Sequence, residues 1–274
     1  MNILKGPRKI LTGIISYRIT KRQKFVLMSV FLTVILITTQ TVDESFRLQT
    51  ITFLAIATVF LSIFALWGEL SGVKYFLLLL LPTYFVIGSS LFYFLLPVRW
   101  LTRLPFALLF GISVYLLMLT ANIYNVAAIR TIALLRAAHA VGLLFSIISI
   151  FFLTNVLFSL HLPFYLVMLG AYLITLPLYI IGLWSYELEE FISRRVFIFS
   201  LIFSLVTSQI ALVLSFWPIV PINGGLSLAT LMYVLLGLAQ FEFHGRLKPR
   251  LVWEHLIVAF AVFVIVVITT RWGG

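Results

Sequence analysis

The dominant pattern along the chain is a series of long apolar runs separated by short polar breaks. Each run approaches the roughly 20 apolar residues that a helix needs to cross a bilayer core about 30 Å thick. The runs do not alternate apolar and polar residues, as the strands of closed barrels do, so each is predicted to be a helix. Nine spans are predicted, or eight if one weak segment is re-entrant: 25–40, 49–67, 75–96, 105–126, 138–160, 163–184, 196–217, 225–242 and 252–270.

The composition supports a chain that lies mainly in lipid. The sequence of 274 residues is 63% hydrophobic and only 10% charged, whereas soluble domains are about 45–50% apolar and about 25% charged. The predicted fold class is therefore all-α, a polytopic transmembrane helix bundle. Residues 25–274 form one transmembrane domain in this interpretation, and no separate soluble domain fits in what remains.

The distribution of Lys and Arg predicts the orientation, because these residues are retained on the cytoplasmic side during insertion. With the N-terminus inside, only Arg47, Arg99, Arg103 and Arg271 of the 19 Lys and Arg residues fall in outer segments. The charges therefore favour an odd number of spans, with the N-terminus in and the C-terminus out. A nucleic-acid partner is not expected, because the cations are scattered over several loops at helix ends.

Residues 1–24 form a separate basic segment. Apolar positions at 10, 11, 14, 15 and 19 share one side of a helix, with Arg8 and Lys9 largely opposite. This pattern predicts an amphipathic helix at the membrane surface, with anionic lipid headgroups as partners. The alternative is an orientation signal without a specific ligand.

An internal similarity raises the possibility of a duplication. The stretch 66–70 (LWGEL) resembles 183–188 (LWSYEL), and Pro97 and His139 recur as Pro218 and His255 at an offset of about 116 to 121 residues. Parallel four-helix halves, 25–137 and 138–250 plus a last span, would produce such an offset. Coincidence is the alternative, because Trp favours interfaces and Pro favours helix ends.

The stretch 120–142 is the most polar part of the apolar chain and supplies half of the candidate site. If the stretch is helical, the spacing puts Asn122, Asn125, Arg136 and His139 on one face. An unpartnered amide in lipid costs a few kcal/mol, so both asparagines require a partner or water. These residues either bind a ligand in a polar vestibule or form hydrogen bonds between helices.

The last hairpin supplies the other candidate residues, Glu242, His244, Glu254 and His255, at the same predicted face. A carboxylate near an arginine favours both charged forms. We therefore expect Glu254 or Glu242 to pair with Arg136 or Arg130. The four histidines of the chain have no HxxxH or HExxH spacing, and cysteine is absent, so neither a metal site nor a cofactor is predicted.

One catalytic pattern is present at Glu189-Glu190-Phe191-Ile192-Ser193-Arg194. This EExxxR segment resembles the first motif of the membrane-embedded prenyl-protein (CAAX-type) proteases, in which a glutamate activates water. That family also needs FxxxH and HxxxN/D motifs. Here Phe241 precedes His244 by three positions, and Ala259 follows His255 by four, so neither motif is complete. No catalytic residue is predicted.

Two segments, Asn125-Val126-Ala127-Ala128-Ile129-Arg130 and Leu135-Arg136-Ala137-Ala138-His139, give the chain a second resemblance. It looks like the uncharacterised polytopic membrane proteins, of unknown function, of small-genome bacteria. The resemblance implies a bacterial inner membrane and no particular activity.

Three functions follow as hypotheses. Scarce intramembrane charge favours a non-catalytic membrane scaffold or a subunit of a membrane complex, because ion-coupled transporters normally carry a carboxylate at depth. The first alternative is a small-solute or lipid transporter with a cytoplasmic-side polar vestibule and helix breaks at Pro82 and Pro177. The second alternative is an intramembrane prenyl-protein-type protease.

Overall fold

The structure is a computed structural model that describes residues 20–39, 44–66, 74–97, 99–127, 133–243, 245 and 247–270. Within these ranges it contains nine long helices and no strand. The helices are α1 Lys21–Thr38, α2 Arg47–Ala65, α3 Lys74–Leu95, α4 Trp100–Ala127, α5 Leu135–Ser159, α6 Phe164–Glu187, α7 Arg194–Ser215, α8 Pro221–Phe243 and α9 Pro249–Thr269. Of the predicted amphipathic segment 1–24, residues 1–19 lie outside the described residues.

The nine helices correspond to the nine predicted spans, and each boundary agrees within five residues. Eight of them, α2 to α9, are long and apolar enough to cross a membrane. Helix α1 differs because Lys21, Arg22 and Lys24 occupy its first turn and leave a shorter apolar stretch. The prediction of a polytopic all-α bundle is confirmed, and the protein is a multi-pass membrane protein.

Two groups of four helices make up most of the bundle. Each helix from α1 to α4 packs against the next and α4 returns to α1, and helices α5 to α8 pack in the same order. Helices α3 and α4 also pack against α5, and α9 packs against α8. A duplication would give this repeated order, but so would any pair of up-and-down bundles. The halves 25–137 and 138–250 stay a prediction.

Aromatic side chains connect the two groups. The Phe85 ring meets Phe145 edge-on with centroids 5.3 Å apart, and Phe92 stacks on Phe152 at 4.6 Å. Both pairs join α3 to α5. Such pairs contribute about 0.5–1.5 kcal/mol beyond the apolar area that they bury.

The buried hydroxyl groups form hydrogen bonds within their own helices. Among the described residues, every buried Ser and Thr except Ser62 and Ser90 donates to a carbonyl three or four residues earlier. Lipid offers no alternative partner, so these local bonds satisfy the hydroxyls at little cost. Helices α3 and α6 continue through Pro82 and Pro177, so the helix breaks considered for a transporter are not present.

Candidate functional site

Polar side chains converge where α4, α6 and α8 end and α5 begins. The polar cluster consists of Tyr124, His139, Ser185, Tyr186 and Gln240. Consecutive spans alternate in direction, so the ends of even-numbered helices and the starts of odd-numbered ones share one face. By the distribution of Lys and Arg, this is the predicted cytoplasmic face.

Hydrogen bonds between helices hold the polar cluster together. The Tyr124 hydroxyl donates to the carbonyl of Ala138 at 2.9 Å, which joins α4 to α5. His139 Nε2 lies 2.8 Å from the carbonyl of Ser185, and because a carbonyl only accepts, this nitrogen carries the proton. The His139 ring also lies 4.2 Å from the Tyr186 ring, so α5 and α6 are fixed through both contacts.

The cavity beside the polar cluster is small. It offers about 10 Å³ to a water-sized sphere, which is near the lower limit for one water molecule. Glycine makes this close packing possible, because a Cβ atom on Gly142 would collide with the Tyr124 hydroxyl. The cluster therefore has room for a water molecule but not for a solute of ordinary size.

The structure brings part of the first predicted group to this end of the bundle. His139 is half-buried within the polar cluster, and Asn125 is buried next to Tyr124. Asn122 Oδ1 is buried and has no hydrogen-bond partner among the residues that the structure describes. Arg136 is exposed on the first turn of α5. The interpretation as hydrogen bonding between helices therefore describes His139 better than an open vestibule does.

The described members of the second predicted group, Glu242, Glu254 and His255, do not join the polar cluster. Glu242 and Glu254 are exposed, and Glu254 forms an ion pair with Arg250 at 3.1 Å on its own helix instead of with Arg136. Local geometry explains this, because residues four apart on a helix are neighbours. Arg130 and His244 lie outside the described residues.

His255 is buried at the contact between α8 and α9. Its ring stacks on Tyr233 with centroids 4.9 Å apart, and Nδ1 donates to the carbonyl of Leu251 at 2.8 Å. It packs on the face of α8 that carries Gly237, whereas Gln240 faces the polar cluster. Among the described residues, no group of three His, Asp or Glu side chains could hold a metal ion.

The EExxxR segment forms a surface loop. Glu189 and Glu190 are exposed between α6 and α7, and the Trp184 indole donates to the carbonyl of Glu189 at 3.0 Å. Ser193 caps α7 by accepting from the Val196 amide at 3.1 Å. The glutamates thus have no enclosed position in which to activate water, so the structure gives the protease hypothesis no support.

Four members of the polar cluster were missed by the sequence analysis: Tyr124, Ser185, Tyr186 and Gln240. Tyr124 lies between two asparagines, and Gly142 follows His139 by one helical turn. The available signal was this tyrosine, together with a glycine one helical turn after a histidine. The sequence pattern does not show which helices meet, so it could not place these residues next to each other.

The comparisons with known proteins identify a family without an assigned activity. A family model described as "Protein of unknown function (DUF5656)" matches residues 65–269. The chain belongs to the DUF5656 family. The DUF5656 match runs from the last residue of α2 to the last residue of α9, so it includes the whole polar cluster. Comparison with curated proteins and with solved structures gave no significant match.

Proposed function

We propose that this DUF5656 protein is a non-catalytic membrane scaffold or a subunit of a membrane complex, located in a bacterial inner membrane. The close packing of the interior in the described part of the chain is the observation that carries the proposal. The cavity at the polar cluster accommodates about one water molecule, and the buried hydroxyls are bonded to their own helices. Such an interior suits a protein whose function depends on its outer surface.

Helix α9 is the surface that we assign to a partner. Only 11% of the apolar stretch of α9 is buried within the bundle, against 61% of the apolar stretch of α3. Association in lipid depends on side-chain packing and hydrogen bonds rather than on the hydrophobic effect. A helix that uses so little of its surface within its own bundle retains most of it for a transmembrane helix of another protein.

Site-specific photocrosslinking tests the assignment. Phe260 on α9 and Phe60 on α2 are both 67% exposed, so they are matched positions for benzoylphenylalanine. In native membranes we expect a discrete protein adduct of fixed mass from position 260 and none from position 60. Lipid adducts alone at both positions would contradict a partner at α9.

A small-solute or lipid transporter is the second candidate. The polar cluster favours it, because polar groups of α4, α5, α6 and α8 meet at one membrane face. Proteoliposomes tested against a metabolite panel would then show a solute flux that His139→Ala abolishes and Glu254→Gln, at an exposed position, does not.

A further inference from the structure

Two apolar grooves flank α1 along its length. The first groove lies between α1 and α2, has a volume of about 480 Å³ and is bordered by Leu27, Phe31 and Phe64. The second groove lies between α1 and α4, has a volume of about 350 Å³ and is bordered by Leu108 and other apolar side chains. Both grooves are open to the outside of the bundle, and exposed apolar side chains line them.

The two grooves differ in charge. Lys24 lies at the end of the first groove, where its Nζ is 4.9 Å from the centroid of the Phe64 ring. Among the described residues, no carboxylate pairs with this ammonium group. Lys21 and Arg22 are exposed in the same helical turn. None of the described residues that line the second groove is a cation.

The first groove is about as long as one leaflet of the hydrocarbon core is thick. Lys24 is in the first turn of α1, and Val34 borders the far end of the groove. Ten residues of helix rise about 15 Å, which is half of a hydrocarbon core about 30 Å thick. A lipid tail in this groove would therefore extend towards the bilayer centre while its headgroup stays level with the ammonium group.

We infer that the first groove is a binding site for an anionic phospholipid. One acyl chain packs between α1 and α2, and the Lys24 ammonium group donates to the headgroup phosphate. Arg22, exposed in the same helical turn, adds positive charge at this level and favours lipids with a net negative charge over zwitterionic ones. The site is independent of the proposed scaffold function, because it uses neither α9 nor the polar cluster.

Native mass spectrometry of the full-length protein in detergent tests the inference. The probes are dioleoyl phosphatidylglycerol and dioleoyl phosphatidylcholine, which have the same chains and different headgroup charge. We expect Lys24→Gln to weaken phosphatidylglycerol binding about fivefold, the factor that one cation near a membrane surface contributes. Lys24→Arg should retain binding, and phosphatidylcholine binding should not change in either variant.

Matched substitutions test each half of the site. Lys248 is an exposed cation on another helix end, so Lys248→Gln should leave phosphatidylglycerol binding unchanged. Leu27 in the first groove is 58% exposed and Leu108 in the second is 59% exposed. Leu27→Trp should weaken binding of both lipids by filling the first groove, and Leu108→Trp should weaken neither.

Two results would overturn the inference. If Lys24→Gln and Lys248→Gln lower phosphatidylglycerol binding equally, the lipid is attracted by the overall positive charge of the protein surface and not by a site at Lys24. If Leu27→Trp instead changes the mass of the protein assembly, the groove is an interface between copies of this chain. Thermal unfolding of each variant shows whether it is folded as the unmodified protein is.

Discussion

Two glycines give aromatic and imidazole rings access to the backbone of a neighbouring helix. Gly142 on α5 faces the Tyr124 hydroxyl, and Gly237 on α8 faces the His255 ring. In both places a Cβ atom would occupy the position of the ring or its hydroxyl. Lipid supplies no hydrophobic force between helices, so this close approach is what makes the contacts favourable.

Gly237→Ala should destabilise the contact between α8 and α9. The added Cβ atom would lie 2.8 Å from Cδ2 of His255 and closer still to its Nε2, so the ring must move. Overpacking of this kind costs about 1–3 kcal/mol in the free energy of unfolding. Unfolding titrations in mixed detergent micelles measure the change.

A double-mutant cycle with His255→Ala distinguishes this clash from a general effect of Ala at Gly237. Removal of the imidazole should cancel part of the cost of Gly237→Ala, so the two effects are not additive. The exposed and distant Tyr165→Phe serves as the control and should add to Gly237→Ala without coupling. Additivity with His255→Ala would show that the ring does not oppose the new methyl group.

At the scale of elements, α6 and α7 form one of the most extensive helix pairs in the bundle. A buried hydrogen bond crosses this pair between Tyr179 and Thr207, with the two oxygens 2.8 Å apart. Thr207 also donates to the carbonyl of Phe203, so the Tyr179 hydroxyl is the donor between the helices. Both side chains are completely buried, so water cannot replace the bond.

Tyr179→Phe and Thr207→Val should each lower the stability of the protein, and their effects should be coupled. Hydrogen bonds between helices in membranes couple by about 0.6 kcal/mol on average. The same unfolding titration measures the coupling. Ser204→Ala is the matched control, because Ser204 donates only to the carbonyl of Ser200 on its own helix. A coupling with Ser204→Ala as large as that with Thr207→Val would refute a specific bond.

At the scale of the whole molecule, we interpret the net charge of +11 in terms of the orientation of the helices in the membrane. Arg194, Arg195 and Lys248 lie at helix ends on the face predicted to be cytoplasmic, whereas Arg99 and Arg103 lie at the opposite ends. If α1 crosses the membrane together with α2 to α9, the number of crossings is odd. The two ends of the chain are then on opposite sides.

Reporter fusions should therefore give opposite results at two positions. An alkaline phosphatase fused after Thr270 should be active and a green fluorescent protein there should be dark, because this end is expected outside. A fusion after Phe243 should behave in the opposite way. A bright fluorescent protein after Thr270 together with an active phosphatase after Phe243 would reverse the orientation. A bright fluorescent protein at both positions would mean that α9 does not cross.

The helices could be predicted from the sequence because lipid imposes a length and an apolar composition on each one. The first residues of the helices were predicted less accurately, and α1 begins four residues before its predicted span. There the side chains of Thr20 and Gln23 form a capping box with each other's backbone, which starts the helix within the basic segment. Similarly, α4 begins at Trp100, which is 74% exposed, rather than at Pro105.

The candidate site was less predictable than the helices. His139 was identified because its helical spacing puts it on one face with other polar residues of the stretch 120–142, but its contact with Ser185 depends on which faces of α5 and α6 meet. Periodicity does not contain that information. For Glu254 the prediction was wrong in another way. A partner on a distant helix was expected, but its partner Arg250 is one turn away on the same helix.

The local bonding of buried hydroxyls has a mechanical consequence. A hydroxyl that donates to its own helix travels with that helix, so one helix can slide along another without breaking such a bond. Resistance to sliding is then concentrated at a few crossing points, including Tyr124 with Ala138, His139 with Ser185, and Asn223 with Thr269. Sliding is thus resisted by hydrogen bonds near both membrane faces and, between Tyr179 and Thr207, further inside the bundle.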